Sequence, residues 1–255
     1  MCGHKRRSVR HERADATFTT SDERRVPCIV RRGDGDDPRL RLTPDGAVCV
    51  TLPNGDTPSV DAVLDANRDW IERQYERQRE RLGRVERQFG DLTTGLVVWG
   101  YTFDFETREG QYDLTVDSGT ITVSAPAGRS PLVFLKNRLA SRLRDTVVSM
   151  ADRIAPKLDG RYESVQIRSQ ATKWASYSTT GTLSFNVRCG FLPLEYVRYL
   201  VAHELAHSIN TSHDEAFWSL VETVVDEPRR RSTDLEGFAA ALGRNEVWAD
   251  ILAEW

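Results

Sequence analysis

The chain has 255 residues, 39% hydrophobic residues and a formal net charge of −3 at pH 7. This length and apolar content allow one large packed domain, or a main domain with a smaller companion, and exclude a fibrous or wholly disordered chain. The small negative charge argues against binding of nucleic acid through the overall field of the protein. Nucleic acid is therefore an unlikely partner.

Neither a membrane-spanning helix nor a secretory signal is predicted. No apolar run approaches the roughly 18 residues that a spanning helix needs, and the first residues, MCGHKRRSVRHER, lack an apolar segment. The four cysteines form no C-x-x-C pair, so free thiols are expected. These features predict a cytoplasmic protein with no membrane partner, and they leave its oligomeric state open.

The first half of the chain is predicted to be rich in β-structure. Residues 1–25 contain many basic and few apolar residues, which predicts a disordered basic tail. Residues 26–130 are predicted to form a β-rich region with one helix. In this region, strand-like runs at 26–53 predict a small β-meander, the pattern at 61–87 predicts a helix, and 96–125 predict a hairpin or a three-stranded sheet.

The second half is predicted to mix helices and strands, which makes the whole chain α+β. Residues 131–232 form the predicted catalytic region. It opens with a helix that ends near Pro156 and should pack under the catalytic helix, which is predicted at 194–209. Between them, SVQIRSQ and TLSFNVRCGF predict strands separated by a polar turn. Residues 233–255 predict an amphipathic helical extension.

The segment VAHELAHSINTSHDEAFW contains the cluster that indicates chemistry. On a helix, His203 and His207 lie one turn apart on the same face, so both imidazoles can reach one metal ion about 2 Å away. Glu204 is displaced from the ligand positions but is close enough to hydrogen-bond a water on the metal. This spacing predicts a metal site, with zinc expected and another divalent transition metal possible.

A catalytic zinc site needs a third protein ligand and an open position. His213 is the best candidate for the third ligand. Asn210 can end the first helix in a left-handed turn, and residues 212–215 have the S-x-x-E form of a capping box, so the chain should reverse here. Asp214 and Glu222 are alternative ligands because zinc also accepts carboxylate oxygen.

The expected mechanism follows from this ligand set. The metal lowers the pKa of its water towards about 7, Glu204 takes the proton as general base, and the hydroxide attacks a carbonyl group that the metal polarises. A donor for the oxyanion is also needed. The nearby polar candidates are Ser176, Tyr177 and Asn186.

The run from QATKWASYS to EAFWSLV resembles the YgjP-like (WLM/SprT-related) metallopeptidase domain, a family of predicted metal-dependent hydrolases. The resemblance rests on a W-[G]-S-C-S segment, a strand bearing Asn, a helix with H-E-L-A-H, a third His six residues later, and A-F-W. It covers roughly residues 26–231. The matching positions are Trp174, Ser176, Asn186, His203, Glu204, His207, His213, Phe217 and Trp218.

The resemblance implies a gluzincin-like minimal core, in which two packed helices lie on a small sheet. The edge strand of that sheet, here 182–188, would line the cleft and hold an extended substrate by strand addition. The sequence departs from the family pattern at Ala175, Tyr177 and Asn210, none of which is a family metal ligand. The implied substrate-binding residues are Trp174, Ser176, Tyr177 and Asn186.

Three functions are compatible with the sequence. The leading one is a zinc-dependent metallopeptidase that acts on a peptide or small-molecule substrate. The second is a metal-dependent nucleotide pyrophosphatase, in which four basic side chains should face the cleft. They are Arg161, Arg168, Lys173 and Arg188. The third is a DNA-associated, SprT-like module that binds through the basic tail.

Overall fold

A computed structural model describes residues 16–55, 58–170 and 173–254. These residues form seven α-helices and three sheets, so the predicted α+β class is confirmed. In the same part of the chain, no helix is long and apolar enough to cross a membrane.

A four-stranded sheet and two helices form the N-terminal unit. Its elements are β1 (Ala16–Thr19), β2 (Arg25–Gly33), β3 (Arg39–Leu42), β4 (Val48–Pro53), α1 (Val60–Ala66) and α2 (Arg68–Phe89). The strand order is β1-β2-β4-β3. Alternate strand residues such as Val26, Val48 and Val50 are buried with Leu64 and Ile71 of the helices. The unit therefore has its own small core, as expected for a sheet with one apolar face.

Two expectations for this unit are wrong. Residues 16–25 lie in the predicted disordered tail, yet β1 pairs antiparallel with β2 and buries Phe18; residues 1–15 lie outside the described part of the chain. The strands also do not form a meander, because β2 pairs in parallel with β4 and β3 lies outside β4. Short alternating runs predict strands but not which strands become neighbours.

The middle of the chain forms a second sheet and a long helix. Its elements are β5 (Leu96–Val98), β6 (Tyr101–Glu109), β7 (Asp113–Asp117), β8 (Thr120–Ala125) and α3 (Pro131–Leu158). The order is β5-β6-β8-β7, with β6 and β8 parallel, so the sheet has one strand more than predicted. Ser130 caps α3. The buried stripe of α3, formed by Leu135, Leu139, Leu143 and Val147, packs under the helix predicted at 194–209, as expected.

The C-terminal part contains the small sheet and four helices. Its elements are β9 (Ser164–Arg168), β10 (Ala175–Tyr177), β11 (Thr182–Asn186), α4 (Leu194–Ala206), α5 (Glu215–Glu222), α6 (Pro228–Arg244) and α7 (Glu246–Ala253). The strand order is β10-β11-β9. The stretch 182–188 is therefore not the edge strand that was expected, because β10 covers one side of β11 and β9 the other. Its last two residues belong to a 3-10 helix.

Hydrophobic packing does not follow the predicted boundaries at residues 130 and 232. One main core runs from Val85 to Ile251 and includes the fully buried Phe238 and Trp248. Helix α6 packs closely on α2, where a Cβ atom at Gly237 would collide with the Arg81 carbonyl. The predicted C-terminal extension therefore packs into the main core, and its helix α6 contacts α4.

Candidate metal centre

Helix α4 provides the first two metal-ligand candidates from a buried position. Pro193 stands at its N-cap, where the missing N–H of proline is tolerated. Most of the helix surface is covered, since Val197, Val201 and Leu205 are all fully buried. His203 lies in its last turn and His207 at its C-cap. Packing on several sides therefore fixes the position from which these imidazoles extend.

The three predicted histidines converge. A ligand atom of His203, His207 and His213 can be chosen so that all three atoms lie within 4.8 Å of one another. The Nε2 atoms of His203 and His213 are 3.0 Å apart. Two nitrogens at the usual 2.0–2.1 Å from one tetrahedral zinc would be separated by about 3.3 Å. The arrangement therefore fits a zinc ion, and no other cluster of this kind occurs among the described residues.

Contacts on the far side of two imidazoles favour the same conclusion. Nδ1 of His207 lies 3.1 Å from the Asn210 carbonyl oxygen, which can only accept a hydrogen bond. The ring proton of His207 is therefore placed on Nδ1, and Nε2 keeps its lone pair. Nδ1 of His203 lies 3.3 Å from the Tyr199 hydroxyl. In both rings Nε2 is the nitrogen that is left for a metal.

The chain returns to the centre through a polar turn. Backbone bonds continue the helical turn as far as Asn210, which does not adopt a left-handed conformation. Asp214, and not Ser212, caps α5 by accepting the Phe217 N–H at 3.0 Å. Both details of the predicted turn are therefore wrong, because α5 begins at Glu215 and the residue directly before it, Asp214, forms the cap. The reversal itself is as expected, and it brings His213 to the site.

The alternative third ligands are not in the cluster. The Asp214 carboxylate accepts hydrogen bonds from the Asn210 amide at 2.8 Å and the Ser212 hydroxyl at 2.9 Å, in addition to its capping bond. Glu222 is the exposed last residue of α5. The geometry therefore favours His213.

Burial keeps the helix-borne histidines neutral. Burial, followed by the nearby His207 and His213, lowers the pKa of His203 to about 3. Burial also lowers the pKa of His207, although its bond to the Asn210 carbonyl opposes the shift. Only neutral imidazole binds a metal ion. Both rings are thus in the binding form at neutral pH without a metal to displace the proton.

Glu204 lies beside the cluster but is not part of it. Its side chain is only 6% exposed. Burial raises the pKa of Glu204 to about 7, against the opposing effects of the Tyr177 backbone N–H and the Lys173 charge. A carboxyl group with a pKa near neutrality can both accept and return a proton.

Strand β10 carries three of the predicted substrate-binding residues to this site. Trp174 directly precedes β10, Ser176 lies within it, and Tyr177 ends it. The Tyr177 hydroxyl donates to the Arg161 carbonyl at 3.1 Å. A cleft of about 420 Å³, lined by residues that include Arg161, Tyr177 and His207, opens next to the histidine cluster.

Asn186 has a different environment from the one expected. It is 1% exposed, and its amide donates to the carbonyls of Gln170 and Lys173 at 2.7 and 3.0 Å. Its side-chain oxygen accepts the Arg188 N–H at 3.2 Å. Asn186 thus ties down the chain segment before β10, and nothing in this packing supports its predicted contact with substrate.

The four basic residues that the pyrophosphatase hypothesis places at the cleft have different surroundings. Arg188 is partly buried and donates to the Gln170 carbonyl, and Arg168 donates to the Gln166 side chain at 3.2 Å. Arg161 lines the cleft, and Lys173 is close enough to influence Glu204.

Sequence reasoning missed Tyr199, whose hydroxyl lies beside His203. It named Trp218 as a family-matching position without a role, and the Trp218 indole donates to the His213 backbone carbonyl at 3.1 Å. The signal for Tyr199 was present, because a residue four positions before His203 shares its helix face.

Three converging imidazoles beside a buried glutamate are the arrangement expected of a metal-dependent hydrolase. The profile of the family described as "YgjP-like, metallopeptidase domain" matches residues 37–238. The chain therefore belongs to the YgjP-like metallopeptidase family, as the sequence motifs indicated. A solved structure, the metallopeptidase zymogen of Pyrococcus abyssi abylysin, is similar at 26% identity over 34% of this chain and 87% of that chain, with a TM-score of 0.31. A search of curated proteins finds no match.

Proposed function

We propose that the chain is a zinc-dependent metallopeptidase of gluzincin-like design, with His203, His207 and His213 as the zinc ligands and Glu204 as the general base. The observation that carries this proposal is the convergence of three imidazoles beside a buried glutamate that is not itself in the cluster. Three protein ligands leave one position open, which is typical of catalytic and not structural zinc.

The chemistry divides between the ion and the protein. When bound, zinc supplies Lewis acidity, which acidifies water and polarises a carbonyl group. Glu204 accepts the proton of the attacking water on a carboxylate oxygen and then donates it to the leaving nitrogen. In the metal-free protein burial raises the pKa of Glu204 to about 7, so its surroundings favour proton uptake, and the backbone N–H of Tyr177 bonds its carboxylate.

The free edge of β10 supports a peptide as substrate. On either side of β10, the Trp174 carbonyl accepts the Asn186 N–H of β11, and the Ser178 N–H donates to the Thr182 carbonyl of β11. Main-chain groups alternate in direction along a strand, so those of Ala175 and Tyr177 face away from β11. The Tyr177 N–H bonds Glu204, so a peptide would pair with the main-chain groups of Ala175 and with the Tyr177 carbonyl. An extended peptide can add to such an edge. We therefore place the peptide at β10, with Ser176 and Tyr177 as its neighbours, and no longer at 182–188.

The pyrophosphatase alternative keeps one supporting observation. Arg161 lines the cleft and Lys173 lies near Glu204, so two positive charges are available for phosphate groups. The DNA-associated alternative depends on the basic tail predicted at 1–25, of which residues 1–15 lie outside the described part of the chain.

A paired substrate screen tests the proposal. Zinc-loaded protein is incubated with an unfolded protein and, separately, with nucleoside triphosphates, beside the variants Glu204→Gln and Glu222→Gln. We expect peptide cleavage that falls by about 10²–10⁴-fold in Glu204→Gln, the usual contribution of a general base, while bound zinc is retained. Glu222→Gln, an exposed glutamate on α5, should match wild type. Release of phosphate or pyrophosphate without peptide cleavage would instead assign the alternative.

A further inference from the structure

Tyr199 lies on the side of His203 that faces away from the other two histidines. It belongs to α4, one turn before His203, and is 1% exposed. Its hydroxyl is 3.3 Å from Nδ1 of His203, while Nε2 of the same ring is directed towards His213. The two rings meet edge to face, with centroids 5.7 Å apart. Tyr199 therefore touches a candidate metal ligand without being able to touch the substrate.

We propose that Tyr199 is a positioning residue that fixes the orientation and the tautomer of His203, an inference that rests on the proposed zinc site. A histidine that binds metal through Nε2 must carry its ring proton on Nδ1, where it needs an acceptor. The Tyr199 oxygen is that acceptor. The side chain of Ser232 in α6 interacts with the same hydroxyl.

The position of His203 within the helix explains why a side chain is used. His207 stands at the C-cap, where it can donate to the nearby carbonyl of Asn210. His203 lies within α4, where the carbonyl groups one turn before it accept the helical hydrogen bonds. A residue four positions earlier lies on the same helix face. Tyrosine at 199 has both the reach and the hydroxyl that this task requires.

Tyr196 provides a matched control on the same helix. It is fully buried, and its hydroxyl donates to the Asp234 carboxylate of α6 at 3.0 Å. Tyr196→Phe and Tyr199→Phe thus each remove one buried hydroxyl that links α4 to α6. Of these two hydroxyl groups, only that of Tyr199 contacts a histidine.

The test measures zinc affinity by chelator competition, together with thermal unfolding and the His203 tautomer in ¹⁵N-histidine NMR spectra of metal-free protein. Loss of an outer-shell partner usually weakens metal binding by about 10–100-fold, and we expect this of Tyr199→Phe. The variant should also lose the Nδ1–H tautomer preference of His203. Tyr196→Phe should lower the unfolding temperature and leave both zinc affinity and the tautomer as in wild type.

Unchanged zinc affinity and an unchanged tautomer in Tyr199→Phe would overturn the inference. Equal weakening in both phenylalanine variants would do the same, because it would assign the effect to packing between α4 and α6. A wild-type protein that binds no zinc is a separate result that contradicts the proposed function. In that case the NMR measurement on metal-free protein still decides whether Tyr199 sets the His203 tautomer.

Discussion

The two segments that supply the histidines are held in place by different forces. Helix α4 carries His203 among apolar side chains that are almost wholly buried. The turn at 207–214 carries no buried residue, and a network of hydrogen bonds between Asn210, Ser212 and Asp214 shapes it. Burial of apolar surface stabilises the helix, whereas the turn depends on exposed polar contacts, which individually contribute little.

Phe217 connects the two segments. It is fully buried in α5, and its ring centroid lies 4.9 Å from that of His203 and 4.7 Å from those of His207 and His213. The Phe217 ring thus contacts all three imidazole rings. We therefore expect folding alone to set the helix half of the site and the turn half to open locally.

His213→Ala should give the largest separation between metal binding and stability. His213 is exposed, so the free energy of unfolding of metal-free protein should change by no more than about 0.5 kcal/mol, as at other surface positions. Zinc affinity should fall by more than the roughly 100-fold that the loss of an outer-shell partner costs. Chelator competition and denaturant unfolding measure the two quantities.

Glu222→Ala is the control for this experiment, since it removes an exposed carboxylate from the same helix that was an alternative ligand. It should bind zinc as wild type does. Tight binding by His213→Ala, or weak binding by Glu222→Ala, would mean that the turn half has been assigned the wrong ligand.

For the helix half of the site we expect a smaller effect, on the pH dependence of the unfolding free energy of metal-free protein. His203 has a pKa of about 3 in the folded state and 6.5 in the unfolded chain, so between these values the unfolded chain binds the extra proton. The contribution of His203 to stability therefore rises with pH across this window. Below pH 4.5, Glu204 is mostly protonated in both states and does not oppose the trend.

His203→Gln removes this contribution. Between about pH 3 and 4.5, the unfolding free energy of wild type should rise more steeply than that of the variant, by at most about 1.4 kcal/mol per pH unit for one proton. Urea unfolding at a series of pH values provides the comparison. Parallel curves for the two proteins would show that His203 is not held neutral by burial.

The proximity of His203 and His207 could be predicted because helix geometry alone places them on one face. The turn that returns His213 was predicted in outcome but not in detail, since several polar residues compete for one cap and Asp214 forms it. The role of Tyr199 was equally readable from its four-residue spacing, but an apolar stripe at that spacing normally indicates core packing.

Strand pairing was the least predictable feature. Strand β10 has three residues, too few for an alternating pattern, so it was not predicted. Without it, β11 was expected to be the edge of the sheet, whereas β10 takes that place. Asn186 was predicted to be a site residue as a nearby polar side chain at a family-matching position, yet its side chain bonds the segment before β10 and the Arg188 N–H. Such assignments depend on contacts between residues far apart in sequence, which periodicity does not report.

The central claim is that three histidines hold one zinc ion. Its most direct test is the metal content, by elemental analysis after zinc loading and dialysis, of wild type, His203→Ala and His207→Ala, with circular dichroism to verify folding. We predict one zinc per wild-type chain and none in folded variants. A folded wild-type protein without zinc, or a full equivalent retained by His203→Ala, would contradict it.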